Sequence, residues 1–176
     1  MNDLSLSPGL DEATVEALEE ARHASPFSVL GPHPAPGGRI VRAFLPGAKS
    51  VDVVARGGGP LLGRLSTPRS PNLYEGLVAT FEPYLLRIEW PDTVEVIEDP
   101  YAFGMLLGDL DLHLIGEGRH LDLDSCLGAQ PMMIDAVRGV RFAVWAPNAR
   151  RVAVVGNFNS WDARRHGMRL RHGAGV

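Results

Sequence analysis

From residue 39 onward, apolar and polar residues alternate over short runs, which is the pattern of half-buried β-strands. Stretches rich in Gly and Pro separate the runs and predict turns and loops, at 46–49, 56–60 and 67–72 among others. Pro91 and Asp92 lie between two such runs and predict a β-hairpin. Strands at this spacing favour an antiparallel β-sandwich. The predicted strands are 39–44, 50–55, 74–79, 84–90 and 93–98.

Two other stretches have the spacing of a helix. Residues 11–24 carry one narrow apolar stripe and are stopped by Pro26, so we expect a surface helix docked on a larger body. Residues 105–116 predict a connecting helix. The stripes consist of Val15 and Leu18 in the first helix, and of Leu107, Leu110 and Leu114 in the second.

The sequence contains an internal repeat. Residues 41–54 align with residues 142–155 at a constant offset of 101, so that Phe44 matches Trp145 and the alternating valines coincide. In each copy a strand ends at a proline, a turn follows, and a second strand begins. The stretch 142–155 is therefore expected to open the second copy as a hairpin, with Trp145 packed in its core.

The offset is about the length of one immunoglobulin-like sandwich. The sequence therefore predicts a mainly β protein in which one such sandwich is followed by a linker helix and the truncated start of a second, similar one. A full second copy would run well past residue 176, so we expect the chain to be a fragment. The expected segments are an N-terminal helix in 1–25, the first sandwich in 26–103, a helical linker in 104–125 and the incomplete second sandwich in 126–176.

The charge of the chain is unevenly distributed. Residues 138–176 hold eight arginines and one acidic residue, a balance of +7, whereas the whole chain carries −4, which leaves −11 for residues 1–137. A basic end segment is one mark of nucleic-acid binding. The acidic remainder would repel phosphates, so we expect no nucleic-acid partner and interpret the segment as one surface of a sheet.

Composition also constrains the location of the chain and its chemistry. The N-terminus lacks a signal-peptide pattern, and no run of apolar residues is long enough to cross a membrane. The single cysteine, Cys126, indicates a reducing compartment, so we expect a cytoplasmic protein without a membrane partner. No catalytic constellation stands out, and neither a cofactor nor a metal is expected. The six histidines, at 23, 33, 113, 120, 166 and 172, lack metal-ligand spacing.

Four stretches make the chain resemble the N-terminal region of bacterial 1,4-α-glucan (glycogen) branching enzymes. They are PFSVLGPH (26–33), VRAFLPGAKSVDVV (41–54), the run 99–129 that begins DPYAFG, and the run 139–171 that contains GNFNSWD. The last stretch alone indicates a glycogen-binding type of carbohydrate module, which debranching and trehalose-forming enzymes share. The tandem arrangement and the DPYAFG linker are more specific to branching enzymes.

The resemblance implies a function that this chain performs only in part. In that family two β-sandwich modules precede a catalytic (β/α)₈ barrel, which cleaves an α-1,4 linkage and transfers the segment to a 6-hydroxyl with retention. The barrel's residues match no position here, so no catalytic residue is assigned and the chain alone is expected to be inactive. The implied partners are α-glucan, such as glycogen or amylose, and the barrel of the parent enzyme. The alternatives are a free-standing glucan-binding module and a module of a related debranching or trehalose-forming enzyme.

The resemblance also suggests a site in GNFNSWD. Its tryptophan, Trp161, corresponds to one that stacks on glucose in related modules, and an indole suits the apolar face of a sugar. Asn157 and Asn159 could then supply hydrogen bonds to hydroxyls. In the structural alternative Trp161 covers the end of the sandwich, and the two asparagines cap turns. Trp90 is expected in the core or at a sheet end.

Overall fold

The computed structural model describes residues 10–171 and 173–176, so the part of the predicted N-terminal segment in 1–9, and His172, lie outside the described residues. A seven-stranded antiparallel sheet dominates the structure, and the predicted mainly β sandwich is confirmed. The helices are α1 (Glu12–Glu19) and α2 (Asp109–Gly116). The strands are β1 (Gly31–Ala35), β2 (Gly38–Phe44), β3 (Ser50–Ala55), β4 (Leu61–Ser70), β5 (Leu73–Val78), β6 (Tyr84–Glu89), β7 (Val94–Ile97), β8 (Gly128–Ile134) and β9 (Val137–Ala143).

The first seven strands lie in the order β1-β2-β5-β4-β3-β6-β7. Strand β4 is shared between two halves. Its start pairs with β3 and its end pairs with β5, and the register shifts between Ser66 and Ser70. Because this strand bends out of one half and into the other, the sheet folds over on itself, so that β1, β2 and β5 face β3, β6 and β7.

The core of this sandwich follows from the alternation in the sequence. Val41, Val51, Val53, Val78 and Ile88 point inward and are 0% exposed. The predicted hairpin around Pro91 and Asp92 is also confirmed, because β6 pairs with β7 and the amide of Trp90 donates to the carbonyl of Thr93 at 2.8 Å. Trp90 packs half-buried against the core at the end of the sheet, as expected.

Two strands of the first sandwich were not predicted, and prolines explain both. Strand β1 contains Pro32 and Pro34 but pairs only with β2, and proline is tolerated in such an edge strand because the outer side needs no amide donor. Strand β4 contains Pro68 and covers much of the predicted loop 67–72. Pro68 lies where the register of β4 shifts, so the lost amide coincides with an interruption of the ladder.

Helix α1 docks on one side of the sandwich, as its stripe predicted. Asp11 caps the helix by accepting from the amide of Thr14 at 2.8 Å, and Val15 and Leu18 are buried. The helix is shorter than the predicted 11–24, because Glu20 caps its C-terminus and Ala21 has a φ of 55°. Two carboxylate oxygens of Glu19 accept from Asn72, which fastens the helix to the turn between β4 and β5.

The second part of the chain repeats this arrangement further than the sequence suggested. Helix α2 lies 97 positions after α1, and β8 begins 97 positions after β1. The buried Val15 and Leu18 of α1 correspond to Leu112 and Ile115 of α2, which pack together in the same way. In α2 Ile115 is buried and Leu112 is partly buried beside it, whereas the predicted stripe member Leu110 is exposed and Leu107 is buried just before the helix.

The strands of the second copy begin in the same manner. Gly31 and Gly128 each follow a 3₁₀ turn and have φ values of 89° and 83°, a conformation in which a side chain is strained. Strand β8 then pairs with β9 from Gly128–Ala143 to Ile134–Val137, as β1 pairs with β2. The sequences Val29-Leu30-Gly31 and Cys126-Leu127-Gly128 are similar, and each leads into the first strand of its copy.

Two expectations for the second copy were wrong. The stretch 142–155 is not a hairpin, because β9 pairs with β8 and the chain near Ala153 bridges to Gly167 instead. The same holds in the first copy, where β2 and β3 belong to opposite halves of the sandwich. Trp145 is 58% exposed and not in a core. Its counterpart Phe44 is buried by the α1 cluster, which reaches that strand in the first copy.

Candidate functional site

The stretch predicted to contact sugar forms a compact loop, residues 156–162, that we call the tryptophan loop. A 3₁₀ turn spans Asn157–Asn159, and the carbonyl of Gly156 accepts from the amides of Asn159 at 3.1 Å and Trp161 at 3.0 Å. Ser160 and Trp161 have φ values of 55° and 58°. Two successive residues in the left-handed region reverse the chain and turn the indole outward.

Asn159 is the centre of this loop and is 0% exposed. Its Oδ1 accepts from the amide of Gly156 at 2.9 Å, and its Nδ2 donates to the carbonyl of Val154 at 2.9 Å. The carbonyl of Asp162 lies 3.5 Å from the same Nδ2. Both ends of the loop are therefore tied to one buried amide. The side chain of Asn159 is thus buried and bonded to backbone, and its predicted hydrogen bonds to sugar hydroxyls stay a prediction.

His166 contacts the buried side of Asn159. No role was assigned to it from the sequence. Its Nδ1 lies 3.0 Å from Nδ2 of Asn159. An amide nitrogen only donates, so Nδ1 is the unprotonated acceptor and the ring is neutral. Burial, with the charge of Arg165 second, lowers the pKa of His166 to about 4. The ring of Phe158 meets the imidazole edge to face at 5.2 Å. The sequence motif of residues 156–161 does not include this histidine. It is brought under the loop by a backbone hydrogen bond between Val154 and residue 166, which the sequence does not reveal.

Trp161 and Asn157 form the exposed surface of the loop. Trp161 is 66% exposed, and its Nε1 donates to Oδ1 of Asn157 at 2.9 Å, which fixes the edge of the indole. The face of the ring and the amide of Asn157 therefore point toward solvent together. This pair offers a flat apolar surface beside a polar group, the combination that a sugar ring requires.

A cavity of about 410 Å³ lies next to the loop. Its wall is mostly apolar, so it offers few partners for the hydroxyl groups of a sugar. Trp161 lies outside the wall. The exposed indole, rather than the cavity, is the candidate sugar surface. Residues on the wall include Phe103, Met105, Phe142, Phe158, His166 and Met168.

One other group of side chains has the composition of a nucleophilic site. His120 lies 3.1 Å from Oδ1 of Asp111 and 3.8 Å from Sγ of Cys126, in each case through Nε2. Its Nδ1 accepts from the amide of Asp122, so Nε2 carries the proton and is directed at Asp111. No base is left for the thiol, and burial together with the charge of Asp111 raises the pKa of Cys126. The arrangement is structural.

The arginines of the basic segment hold the second part of the chain in place. Arg141 donates to the carbonyls of Ser125 and Cys126, and Arg171 to that of Leu107. The guanidinium of Arg165 lies 5.0 Å from the ring of Trp90, and that of Arg169 lies 3.9 Å from the ring of Phe27. Four of the eight arginines of the segment are thus held by backbone carbonyls and aromatic rings.

Residues 10–171 and 173–176 contain no cluster of three or more metal-ligating side chains. Within the same ranges, the helices are too short and too polar to cross a membrane.

Comparison with known families agrees with this architecture. Residues 11–101 match the family described as alpha-1,4-glucan branching enzyme GlgB, N-terminal domain. The chain belongs to this family. Residues 126–176 match carbohydrate-binding module 48, the isoamylase N-terminal domain. The chain thus joins a GlgB N-terminal domain to a segment that matches this module, and the tryptophan loop lies in that segment.

Similar proteins extend the comparison. The chain is 57% identical over 163 residues to the 1,4-alpha-glucan branching enzyme GlgB of Pseudomonas fluorescens strain Pf0-1, an alignment that covers 92% of the chain and 22% of that enzyme. It is 54% identical over 171 residues to GlgB 2 of Rhizobium johnstonii, covering 97% and 23%. The chain therefore spans between a fifth and a quarter of these relatives. Among solved structures, a mutant pullulanase from Paenibacillus barengoltzii complexed with maltotriose is 16% identical to the chain. The alignment covers 76% of the chain and 22% of the pullulanase, and its TM-score of 0.37 is too low to support an argument.

Proposed function

We propose that the chain is the glucan-binding N-terminal part of a branching enzyme, and that Trp161 and Asn157 contact the glucan. The observation that carries this proposal is the exposed indole of Trp161, oriented by Asn157 within a segment that matches a carbohydrate-binding module. A glucose ring stacks its C–H face on the indole, and the amide of Asn157 bonds to a hydroxyl. Asn159 and His166 hold the loop that presents them.

The chemistry of branching belongs to the parent enzyme in this proposal. Branching requires a carboxylate nucleophile and a carboxylic acid on either side of the scissile bond. Among the described residues, the buried carboxylates already have partners in the protein: Asp52 and Glu75 pair with arginines, and Asp99 accepts from Tyr84 and from the amide of Tyr101. We therefore assign the chain a binding role beside a separate catalytic barrel, and expect no branching by the chain alone.

Co-sedimentation with glycogen tests the binding role. The substitution Trp161→Ala should weaken binding about tenfold, because burial of an indole face contributes on the order of 1.5 kcal/mol. Trp145→Ala is the matched control, since it removes another exposed tryptophan from the same segment and should leave binding unchanged. Loss of binding in the control but not in Trp161→Ala would place the site elsewhere.

An iodine–amylose assay tests the second part of the proposal. The purified chain should leave the absorbance of the amylose complex unchanged. A fall in that absorbance, dependent on the amount of chain, would show branching without a barrel and contradict the assignment.

A further inference from the structure

Tyr101 joins the first sandwich to residues 165–167, the segment that supports the tryptophan loop. Its hydroxyl donates to the carbonyl of Arg165 at 3.0 Å and accepts from the amide of Gly167 at 3.0 Å. One buried hydroxyl thus bonds to the backbone on both sides of His166. Its two hydrogen bonds use the donor and one acceptor position of the phenol.

The base of Tyr101 is fixed by the first sandwich. The amide of Tyr101 donates to Oδ1 of Asp99 at 2.9 Å, and the ring meets Phe27 edge to face at 4.8 Å. The second oxygen of Asp99 accepts from the hydroxyl of Tyr84 in the sandwich core. Tyr101 is therefore rigid at its backbone, at its ring and at its hydroxyl.

From His166 the contacts lead directly to the candidate site. Nδ1 of His166 accepts from Asn159, and the carbonyl of His166 accepts from the amide of Val154 at 3.0 Å. The carbonyl of Val154 accepts in turn from Asn159. Asn159 then ties both ends of the tryptophan loop. Only His166 and Asn159 separate the Tyr101 hydroxyl from the loop that presents the indole.

Neighbouring contacts leave residues 165–169 little freedom to move. A Cβ built on Gly167 would lie 2.7 Å from Cγ of Pro26, so the backbone lies directly on the first sandwich. Arg165 and Arg169, on either side, stack on Trp90 and Phe27 of that sandwich. The segment is thus held at positions 165, 167 and 169.

We infer that Tyr101 is a positioning residue for the glucan site, through which the first sandwich sets the conformation of the tryptophan loop. The inference rests on the proposed function of Trp161. It assigns the first sandwich a role in glucan recognition without a sugar contact of its own. Loss of the hydroxyl alone should loosen residues 165–167, and with them Asn159 and the indole.

The test compares Tyr101→Phe with Tyr74→Phe in the 176-residue chain. The first variant removes the hydroxyl and keeps the ring on Phe27. The second removes another hydroxyl of the sandwich core, one that donates to the carbonyl of Ala48 and does not touch residues 165–167. Each variant loses one tyrosine hydroxyl that is bonded to backbone, but only the hydroxyl of Tyr101 is linked to the loop, through residues 165 and 167.

Two measurements apply to each variant: the NMR signals of the Trp161 indole N–H and the Asn159 side-chain amide, and the affinity for glycogen. Tyr101→Phe should shift or broaden both signals and weaken binding about threefold to tenfold, the effect of one or two net hydrogen bonds. Tyr74→Phe should leave the signals and the affinity as in the parent chain.

The outcomes are distinguishable. Unchanged signals in Tyr101→Phe, or equal changes in Tyr74→Phe, would overturn the inference. Shifted signals in Tyr101→Phe alone would support the positioning role even if the parent chain failed to bind glycogen, a failure that would instead refute the proposed function. Shifted signals with unchanged glycogen affinity would overturn the link between Tyr101 and recognition.

Discussion

Two asparagines two positions apart have opposite roles in this chain. Asn157 is exposed and orients the indole, whereas Asn159 is buried and ties the loop together. The sequence pattern treats them alike, because both are small polar residues in a turn. Their roles diverge because residue 166 lies under one of them, a contact across seven positions that depends on how the chain returns.

Asn159→Asp should therefore destabilise the second part of the chain. The carboxylate replaces a buried donor by an acceptor that faces the carbonyl of Val154, which should lower the free energy of unfolding by about 2–3 kcal/mol. Urea titration followed by tryptophan fluorescence measures the change. Asn157→Asp is the control at an exposed position and should alter stability by less than about 0.5 kcal/mol. Equal losses in the two variants would contradict the assigned roles.

His166 predicts a specific dependence on pH. Burial lowers its pKa from 6.5 to about 4, so the folded state binds fewer protons than the unfolded chain between these values. Its contribution to stability is complete above pH 6.5 and is lost as the pH falls toward 4, by a total on the order of 3 kcal/mol. Its imidazole carbon shifts, followed by NMR, should titrate near pH 4.

A matched variant isolates this effect. His166→Gln keeps an acceptor for the amide of Asn159 but does not titrate. The loss of stability between pH 6.5 and 4 should be smaller in this variant than in the parent chain. If both chains lost the same stability between pH 6.5 and 4, the effect would belong to other titratable groups.

At the scale of elements, the helix and its cluster repeat as well as the strands. Leu10, Val15 and Leu18 of the first copy correspond to Leu107, Leu112 and Ile115 of the second. Sequence comparison detected only the strands, because the two helices share apolar spacing without shared residues. The connecting helix of the sequence analysis thus occupies the place in the second copy that α1 has in the first. The proposed boundaries of the four segments stay a prediction.

Gly167→Ala probes the contact between the segment around residue 167 and the first sandwich. The added Cβ would lie 2.7 Å from Pro26 and 3.1 Å from the guanidinium of Arg151, so the segment must shift away. We expect a loss of about 1–3 kcal/mol in the free energy of unfolding, measured by urea titration. Gly139→Ala in β9 is the control, since nothing lies within 4 Å of its added Cβ. Its stability should change by less than about 0.5 kcal/mol.

The elements that sequence reasoning recovered are those with regular alternation. Strands β2, β3, β5, β6 and β7 and both helices were predicted within a few residues, because burial on one face imposes its period on the sequence. Strands β1 and β4 were missed because Pro32, Pro34 and Pro68 are signals of turns. Only the pairing partners, which are non-local, show that an edge and a bulge accommodate them.

At the scale of the whole molecule, the uneven charge has a structural explanation. The sequence divides into an acidic part and a basic end, but few of the basic residues meet acidic partners from the first sandwich. Guanidiniums of the segment lie on aromatic rings and on backbone carbonyls instead. Charge counts from the sequence could not predict this, since carbonyl acceptors and ring faces carry no formal charge.

Because β4 belongs to both halves of the first sandwich, it determines how that sandwich unfolds. Because β4 pairs with both halves, separating it from β3 or from β5 leaves unpaired backbone N–H and C=O groups on both of the separated strands. Neither half is a self-sufficient sheet with its own closed interior. The sandwich should therefore melt in a single all-or-none step, with no intermediate that keeps one half intact, and partial opening should be confined to its outer strands β1 and β7.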